Sequence, residues 1–305
     1  MRPQLTRLFV LATLAVPTSF AATAASQEGI PSGPELAPPD APYAPDAAPA
    51  PLAPTPLEEP SVSPFPSPDY GDMVFVGMRL PILAYAVARN SHAPEARGLF
   101  EVGLMRDQPA SAFLGTMGDP PNVAGALWAT RMSNAMALMA QGEVDLGFIG
   151  GAEVDRFGNL NTSYVGDPAR PKVKLPGSGG GADIAILSRR WVTMVSHERR
   201  RLVERVSFIT SPGHGDGTPG WRRRTGLLGG GPVAIITTLG VMRFPEDGGE
   251  AYLASVHPGH SVEGVRNQTG WDLKVAGDVS ETSAPTDAEL AAIRHFDPQG
   301  FWTRD

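Results

Sequence analysis

Few side chains in this 305-residue sequence are suited to chemistry, and cysteine is not among them because the chain has none. Disulfides, thiolate zinc sites and thiol nucleophiles are therefore excluded. Glu101 stands late in a short apolar run, Gly98-Leu99-Phe100-Glu101-Val102, closed by Gly103. A carboxylate there is either an ordinary strand-end surface group or a nucleophile. As a nucleophile it is weak unless it is positioned and partly desolvated. Pro176-Gly177-Ser178-Gly179-Gly180-Gly181-Ala182 forms a glycine loop. That loop reads either as flexible chain or as a cradle whose N–H groups at Gly179, Gly180 and Gly181 meet an oxyanion. Preorganised donors of this kind are worth about 3 kcal/mol each.

Other motifs lack a necessary part. Residues 177–182 satisfy the dinucleotide pattern GxGxxA, but they follow Lys174-Leu175-Pro176 and precede a run that reads as a strand, so the strand–loop–helix context is missing. His197-Glu198 opens like a zinc-protease motif, yet Arg201 stands where the second histidine belongs. His257 and His260 are separated by Pro258-Gly259, which breaks any helix that would align them, so no metal site is expected. Neither Ser178 nor Ser211 lies in a GxSxG elbow. Arg199–Arg201 and Arg222–Arg224 read as solvated basic runs, one of which could meet phosphates or an acidic partner. Met132, Met136 and Met139 read as core packing. Asp155-Arg156-Phe157-Gly158-Asn159 reads locally as a turn, with Asp155 as its cap and Gly158-Asn159 permitting positive φ.

The elements that must hold these groups follow from hydrophobic patterning. Met73 to Gly77 and Val144 to Ile149 are short apolar runs ending at glycine, the mark of buried strands. Pro81 to Arg89 has helical spacing with proline in the first turn. Val123 to Gln141 predicts one long Ala- and Met-rich helix closed by Gly142. Ala182–Leu187, Trp191–Ser196, Val206–Thr210 and Val233–Thr238 read as further strands. Strands alternating with helices, then a strand-rich second half, predict an α/β fold with an open, largely parallel sheet flanked by helices.

Taken together, IGGAEVDRFGNLNTS at 149–163 resembles a segment of the β subunits of class I CoA-transferases, the glutaconate and 3-oxoacid kind. Phe75-Val76-Gly77 with Leu80-Pro81, the Glu101 segment after Ala93-Pro94, and the glycine loop resemble further family motifs in the same order. So do His197-Glu198 before a basic helix, Thr210-Ser211-Pro212-Gly213 and Gly231-Pro232. The resemblance spans roughly residues 71 to 300. It implies transfer of CoA between an acyl-CoA and a carboxylic acid through a thioester on Glu101, with Gly179, Gly180 and Gly181 contacting the oxyanion and CoA. It also implies a partner α subunit, coenzyme A as substrate and no permanently bound cofactor. The family glutamate is followed by Ser-Gly or Asn-Gly, whereas here the pair is Val102-Gly103. Val102 offers no side-chain hydrogen bond, so the substrate range stays open. A ring-opening CoA-thioester hydrolase of the same fold is the near alternative, although such relatives replace the glutamate kept here as Glu101.

Composition bounds the partners. A net charge of −7 argues against a nucleic-acid backbone. Arg2 and Arg7 precede an apolar run, Leu8 to Val16, and Ala22-Thr23-Ala24 offers a small-residue cleavage site, so residues 1–25 have the layout of a secretory signal too short to span a membrane. Residues 26–70 form a linker expected to be disordered, with fourteen prolines between Pro31 and Tyr70. The CoA-transferase-like domain then runs from 71 to 305. An exported, non-catalytic binding protein is the third reading. CoA chemistry instead predicts a cytoplasmic protein whose first 70 residues are a foreign or misassigned extension.

Overall fold

The computed structural model describes residues 71–303. The signal-like segment, the proline linker and the extension expected at residues 1–70 lie outside that range. Strand β1 (Met73–Val76) leads through helix α1 (Leu80–Arg89) to β2 (Arg97–Phe100), which turns back into β3 (Leu104–Arg106). A single turn α2 (Pro120–Val123), edge strand β4 (Trp128–Ala129) and helix α3 (Met132–Ala140) precede β5 (Leu146–Ile149). The short strands β6 (Glu153–Asp155), β7 (Leu160–Asn161), β8 (Tyr164–Val165) and β9 (Val173–Lys174) form an excursion outside the main sheet. The chain returns through α4 (Gly181–Leu187) to β10 (Arg190–Val195). β11 (Leu202–Val203) and the turn α5 (Trp221–Arg224) are followed by β12 (Pro232–Thr237), β13 (Gly240–Arg243) and β14 (Tyr252–Val256). Helix α6 (Val262–Asn267), β15 (Lys274–Glu281) and α7 (Asp287–Phe296) complete the described chain.

Ten strands form one sheet in the order β15-β14-β13-β12-β10-β5-β1-β2-β3-β4. Its centre, from β12 through β10, β5 and β1 to β2, is parallel, and antiparallel strands flank that centre on both sides. The architecture is the expected α/β fold with an open sheet and a strand-rich second half. Every residue of β1 and β5 is buried, as parallel strands covered on both faces require. Alternation assigns the faces. Met73 and Phe75 join a core with Ala135 and Met139 of α3 and Ile184 and Ala185 of α4. Val74 and Val76 join a second core with Ile82, Ala84 and Tyr85 of α1. Helices therefore cover both faces. Among the described residues, no helix is long and apolar enough to cross a membrane.

Four sequence expectations are corrected. The long helix over Val123–Gln141 is broken: Gly125 takes φ 74°, β4 pairs with β3, and only Met132–Ala140 is helical. In consequence Met132 is exposed, Met136 is partly buried and Met139 is fully buried. Ala182–Leu187 is not a strand but lies within α4, because a short wholly apolar run carries no period to separate the two states. Val206–Thr210 is loop, drawn out of any ladder by side-chain capture: the Glu153 carboxylate accepts from the Ser207 N–H at 2.8 Å and from its hydroxyl at 3.0 Å. No helix follows His197-Glu198, where Glu198 accepts from both Arg200 and Arg201 in a turn.

Candidate active site

The connections through the sheet mark where a site belongs. From β1 the chain crosses through α1 to β2 on one side, and from β5 it crosses through α4 to β10 on the other. Successive crossovers thus diverge between β1 and β5, and open α/β sheets bind ligands beyond the carboxyl ends of strands at such a point. Arg79, just after β1, has φ 70°, the single positive φ of a non-glycine among the described residues. Backbone strain of this kind concentrates at functional sites.

Glu101 follows β2 immediately and begins the turn into β3. Gly103 closes the turn at φ 94°, its N–H donating to the Phe100 carbonyl at 2.9 Å. A Cβ on Gly103 would lie 2.4 Å from the Thr130 carbonyl oxygen, so only glycine fits. Val102, in the same turn, is 43% exposed. The Glu101 side chain is half-buried and makes no hydrogen bond or ion pair among the described residues.

The glycine loop meets it. A Cβ on Gly180 would stand 3.1 Å from Glu101 Oε1 and 3.4 Å from its carboxyl carbon. Gly180 caps α4 with ordinary helical φ, so its missing side chain is a matter of space rather than of conformation. Gly181 packs at the end of β5, where a Cβ would lie 3.4 Å from Ile149 Cγ2 and 3.3 Å from Ser211 Oγ. Gly179 takes φ 48° and faces open space. The three glycines differ in their free donors. The Gly181 N–H closes a turn on the Ser178 carbonyl at 2.9 Å, whereas the N–H groups of Gly179 and Gly180 have no acceptor among the described residues. A helix does follow the GxGxxA string, contrary to expectation. Yet the two residues before Leu175 form the exposed strand β9 of the antiparallel β8–β9 ladder, so they do not supply the buried parallel strand of a dinucleotide site.

The loop that brings Ser211 against Gly181 is held by the 155–159 segment. Asp155 does cap the turn, accepting from the N–H groups of Phe157 at 2.9 Å and Asn159 at 3.1 Å. Burial, the larger influence, raises the Asp155 pKa, and these donors oppose it. Fully buried Asn159 donates to Asp155 and to the Gly215 carbonyl, and its own oxygen accepts from Gly213 and Gly215. Asn159 thereby fixes the Ser211-Pro212-Gly213 loop, whose Ser211 hydroxyl is buried and has no partner among the described residues. Arg222, expected from the sequence to be solvated, is buried instead, and only Arg223 and Arg224 are exposed. The motif gives no sign of this, because the structure surrounds that one guanidinium with carbonyl groups. The buried histidines His197 and His214 serve packing. His197 contacts Thr237, Thr269 and the Val265 carbonyl, and burial pushes its pKa down to about 4. His214 contacts the Pro232 carbonyl and burial likewise lowers it to about 4.

Against known proteins, residues 69–268 match the coenzyme A transferase family. The chain is 40% identical over 225 residues to the β subunit of the 3-oxoadipate CoA-transferase of Pseudomonas knackmussii, covering 73% of this chain and 86% of that protein. It is 36% identical over 235 residues to the β subunit of the glutaconate CoA-transferase of Acidaminococcus fermentans, covering 75% and 87%. The crystal structure of glutaconate coenzyme A-transferase from that organism superposes with a TM-score of 0.71 at 33% identity, over 77% of this chain and 92% of that one. A more distant relative, at 28% identity over 77% of this chain and 88% of that protein, is the cholesterol ring-cleaving hydrolase IpdB subunit of Mycobacterium tuberculosis. The position of Glu101 at the carboxyl end of a central strand, the glycine turn against it and these matches have one conclusion: the chain belongs to the coenzyme A transferase family, among its class I β subunits.

Proposed function

We propose that Glu101 is the nucleophile of a CoA transfer between an acyl-CoA and a carboxylic acid, carried out by this chain together with an α subunit. The observation that carries the proposal is the 3.1 Å separation between the Glu101 carboxylate and the Cβ position of Gly180. In the first step Glu101 Oε attacks the thioester carbonyl, the carbon–sulfur bond breaks and CoA leaves as thiolate, giving a glutamyl–acyl anhydride. The thiolate then attacks the glutamyl carbonyl and expels the acyl carboxylate, leaving a glutamyl-CoA thioester. A second carboxylate reverses both steps and departs as the new acyl-CoA, restoring Glu101. Each attack develops an oxyanion, and the N–H groups of Gly179 and Gly180 are the donors with no competing acceptor among the described residues. Gly181 contributes shape rather than a donor, because its N–H is engaged by Ser178.

The test uses the complex of this chain with its α subunit, with acetyl-CoA or succinyl-CoA as donor and glutaconate or 3-oxoadipate as acceptor. Glu101→Gln removes the nucleophile, so turnover is expected to vanish. Wild-type complex incubated with donor alone is expected to carry a hydroxylamine-sensitive CoA adduct on the peptide containing Glu101, seen by mass spectrometry. Full activity in the variant sinks the proposal. The 28% identity to a ring-cleaving hydrolase supports a second reading, thioester or ring hydrolysis on the same fold. Product formation with water and no acceptor acid separates it from transfer.

A further inference from the structure

We propose that Arg222 is a positioning residue for the reaction at Glu101, acting through the two segments that wall the glycine turn. The inference takes its kinetic readout from the transfer reaction proposed above, but its geometry stands apart from it.

Arg222 is 6% exposed, and among the described residues its guanidinium donates to carbonyl groups only. Nη2 reaches the Ala185 carbonyl at 2.6 Å, within α4. Nη1 reaches Pro212 at 2.7 Å and Gly213 at 3.0 Å, the two residues after Ser211. Nε reaches Gly229 at 2.8 Å, in the loop entering β12. One side chain therefore ties the 211–213 loop to α4 and to the loop entering β12, two segments that are themselves joined by the Gly229 N–H donating to the Ile186 carbonyl at 2.8 Å. Two of the three segments define the glycine turn: α4 begins at Gly180 and Gly181, and Ser211 stands against Gly181. A lateral shift of α4 is a shift of Gly180 relative to Glu101.

The chemistry of the side chain is specific to this task. A planar guanidinium fork places donors in three directions at fixed angles, whereas a lysine ammonium offers a single nitrogen on a flexible stem. Gly231, at φ 93°, leaves the room the stem needs, since a Cβ there would lie 2.7 Å from Arg222 Cδ. Desolvating a cation without a carboxylate partner is costly, so carbonyl dipoles from three segments must stay converged on it. That requirement fixes the spacing between α4 and the 211–213 loop.

A structural staple alone would change stability and leave turnover per folded molecule untouched, which sets the experiment. Arg222→Lys and Arg222→Gln are compared, in the complex with the α subunit, with Arg190→Gln. The latter removes the 2.7 Å ion pair to Asp72 at the opposite, amino end of the parallel strands. With acetyl-CoA or succinyl-CoA as donor, both Arg222 variants are expected to lose about 100-fold in kcat, the scale of a misplacement near 1 Å. The KM for the donor is expected to change less than about threefold, because no donor contact is removed. Arg190→Gln is expected to lower Tm and keep kcat per folded complex. Unchanged kcat in folded Arg222→Lys overturns the proposal. A second arm needs no reaction: the hydrogen-bonded backbone amides of Gly181, Ile184 and Ser188 are expected to exchange hydrogen at least tenfold faster in Arg222→Lys than in wild type, and unaltered protection also overturns it. Loss of the transfer reading, seen as full activity in Glu101→Gln, would leave this exchange arm intact, so the two failures are distinguishable.

Discussion

At Gly180 a single missing methyl group leaves the Glu101 carboxylate its room. Ala at this position meets no backbone penalty, because its φ of −76° is ordinary. Its methyl would sit 3.1 Å from Oε1 of Glu101, tighter than normal packing, and one of the two must yield. Gly180→Ala is therefore expected to keep the wild-type Tm within about 2 °C and to lower kcat by about tenfold or more. Gly179→Ala is the reverse case, with open space but φ 48°, so its cost is expected as about 1 kcal/mol of stability. Thermal melts beside steady-state kinetics separate the two, and equal kinetic losses in both would refute the distinction. The residue types at positions 101 and 179–181 are legible from sequence, since a strand-end carboxylate and consecutive glycines are visible as such. Their approach to one another is not, because it depends on the crossover that returns the chain to β10. The burial of Arg222 is equally invisible, as Arg222-Arg223-Arg224 carries no pattern that singles out its first member.

Elements explain which sequence signals survive folding. β1, α1, β5, β10 and β12 form near the expected positions, because their apolar runs are bounded by glycine, proline or charge. α4 and the helix over Met132–Ala140 depart from expectation for a common reason: tertiary packing, not local period, decides the state of short apolar runs. The 155–159 segment is the capped turn its sequence implies, but its reach into the 213–215 loop is hidden from sequence, since that pairing is long-range. Asn159 is the element-scale joint. Asn159→Ala leaves the Gly213 and Gly215 N–H groups without their buried acceptor and strips two donors from Asp155 and Gly215. A loss of about 3 kcal/mol in unfolding free energy is expected, measured by urea titration. A change below about 1 kcal/mol would show that water replaces these bonds without difficulty.

The whole molecule carries a pH dependence set by its buried histidines. His197 and His214 have pKa values lowered by burial to about 4, from an ordinary value of 6.5. Both are neutral in the fold and take up protons more readily when unfolded. Stability is therefore intact above about pH 6.5 and falls as pH drops toward 4, by roughly 2 kcal/mol per histidine at pH 5. His257 is shifted the same way, by burial first. Asp72 and Asp155, raised chiefly by burial, act with the opposite sign as they gain protons. Because the two histidines are displaced furthest, a lower urea midpoint at pH 5 than at pH 7 is expected, and equal midpoints would contradict the assignment.

The contact between Glu101 and Gly180 joins parts of the chain separated by β3, β4, α3, β5 and the whole β6–β9 excursion. Loop-closure entropy rises slowly with such separation, so the arrangement costs little at equilibrium, but contacts of high sequence separation form late. Glu101 and the glycine turn consequently meet only after the central sheet has docked α4. A newly made chain thus acquires helix and sheet before Glu101 meets Gly180, and that carboxylate has no glycine turn against it until folding is complete.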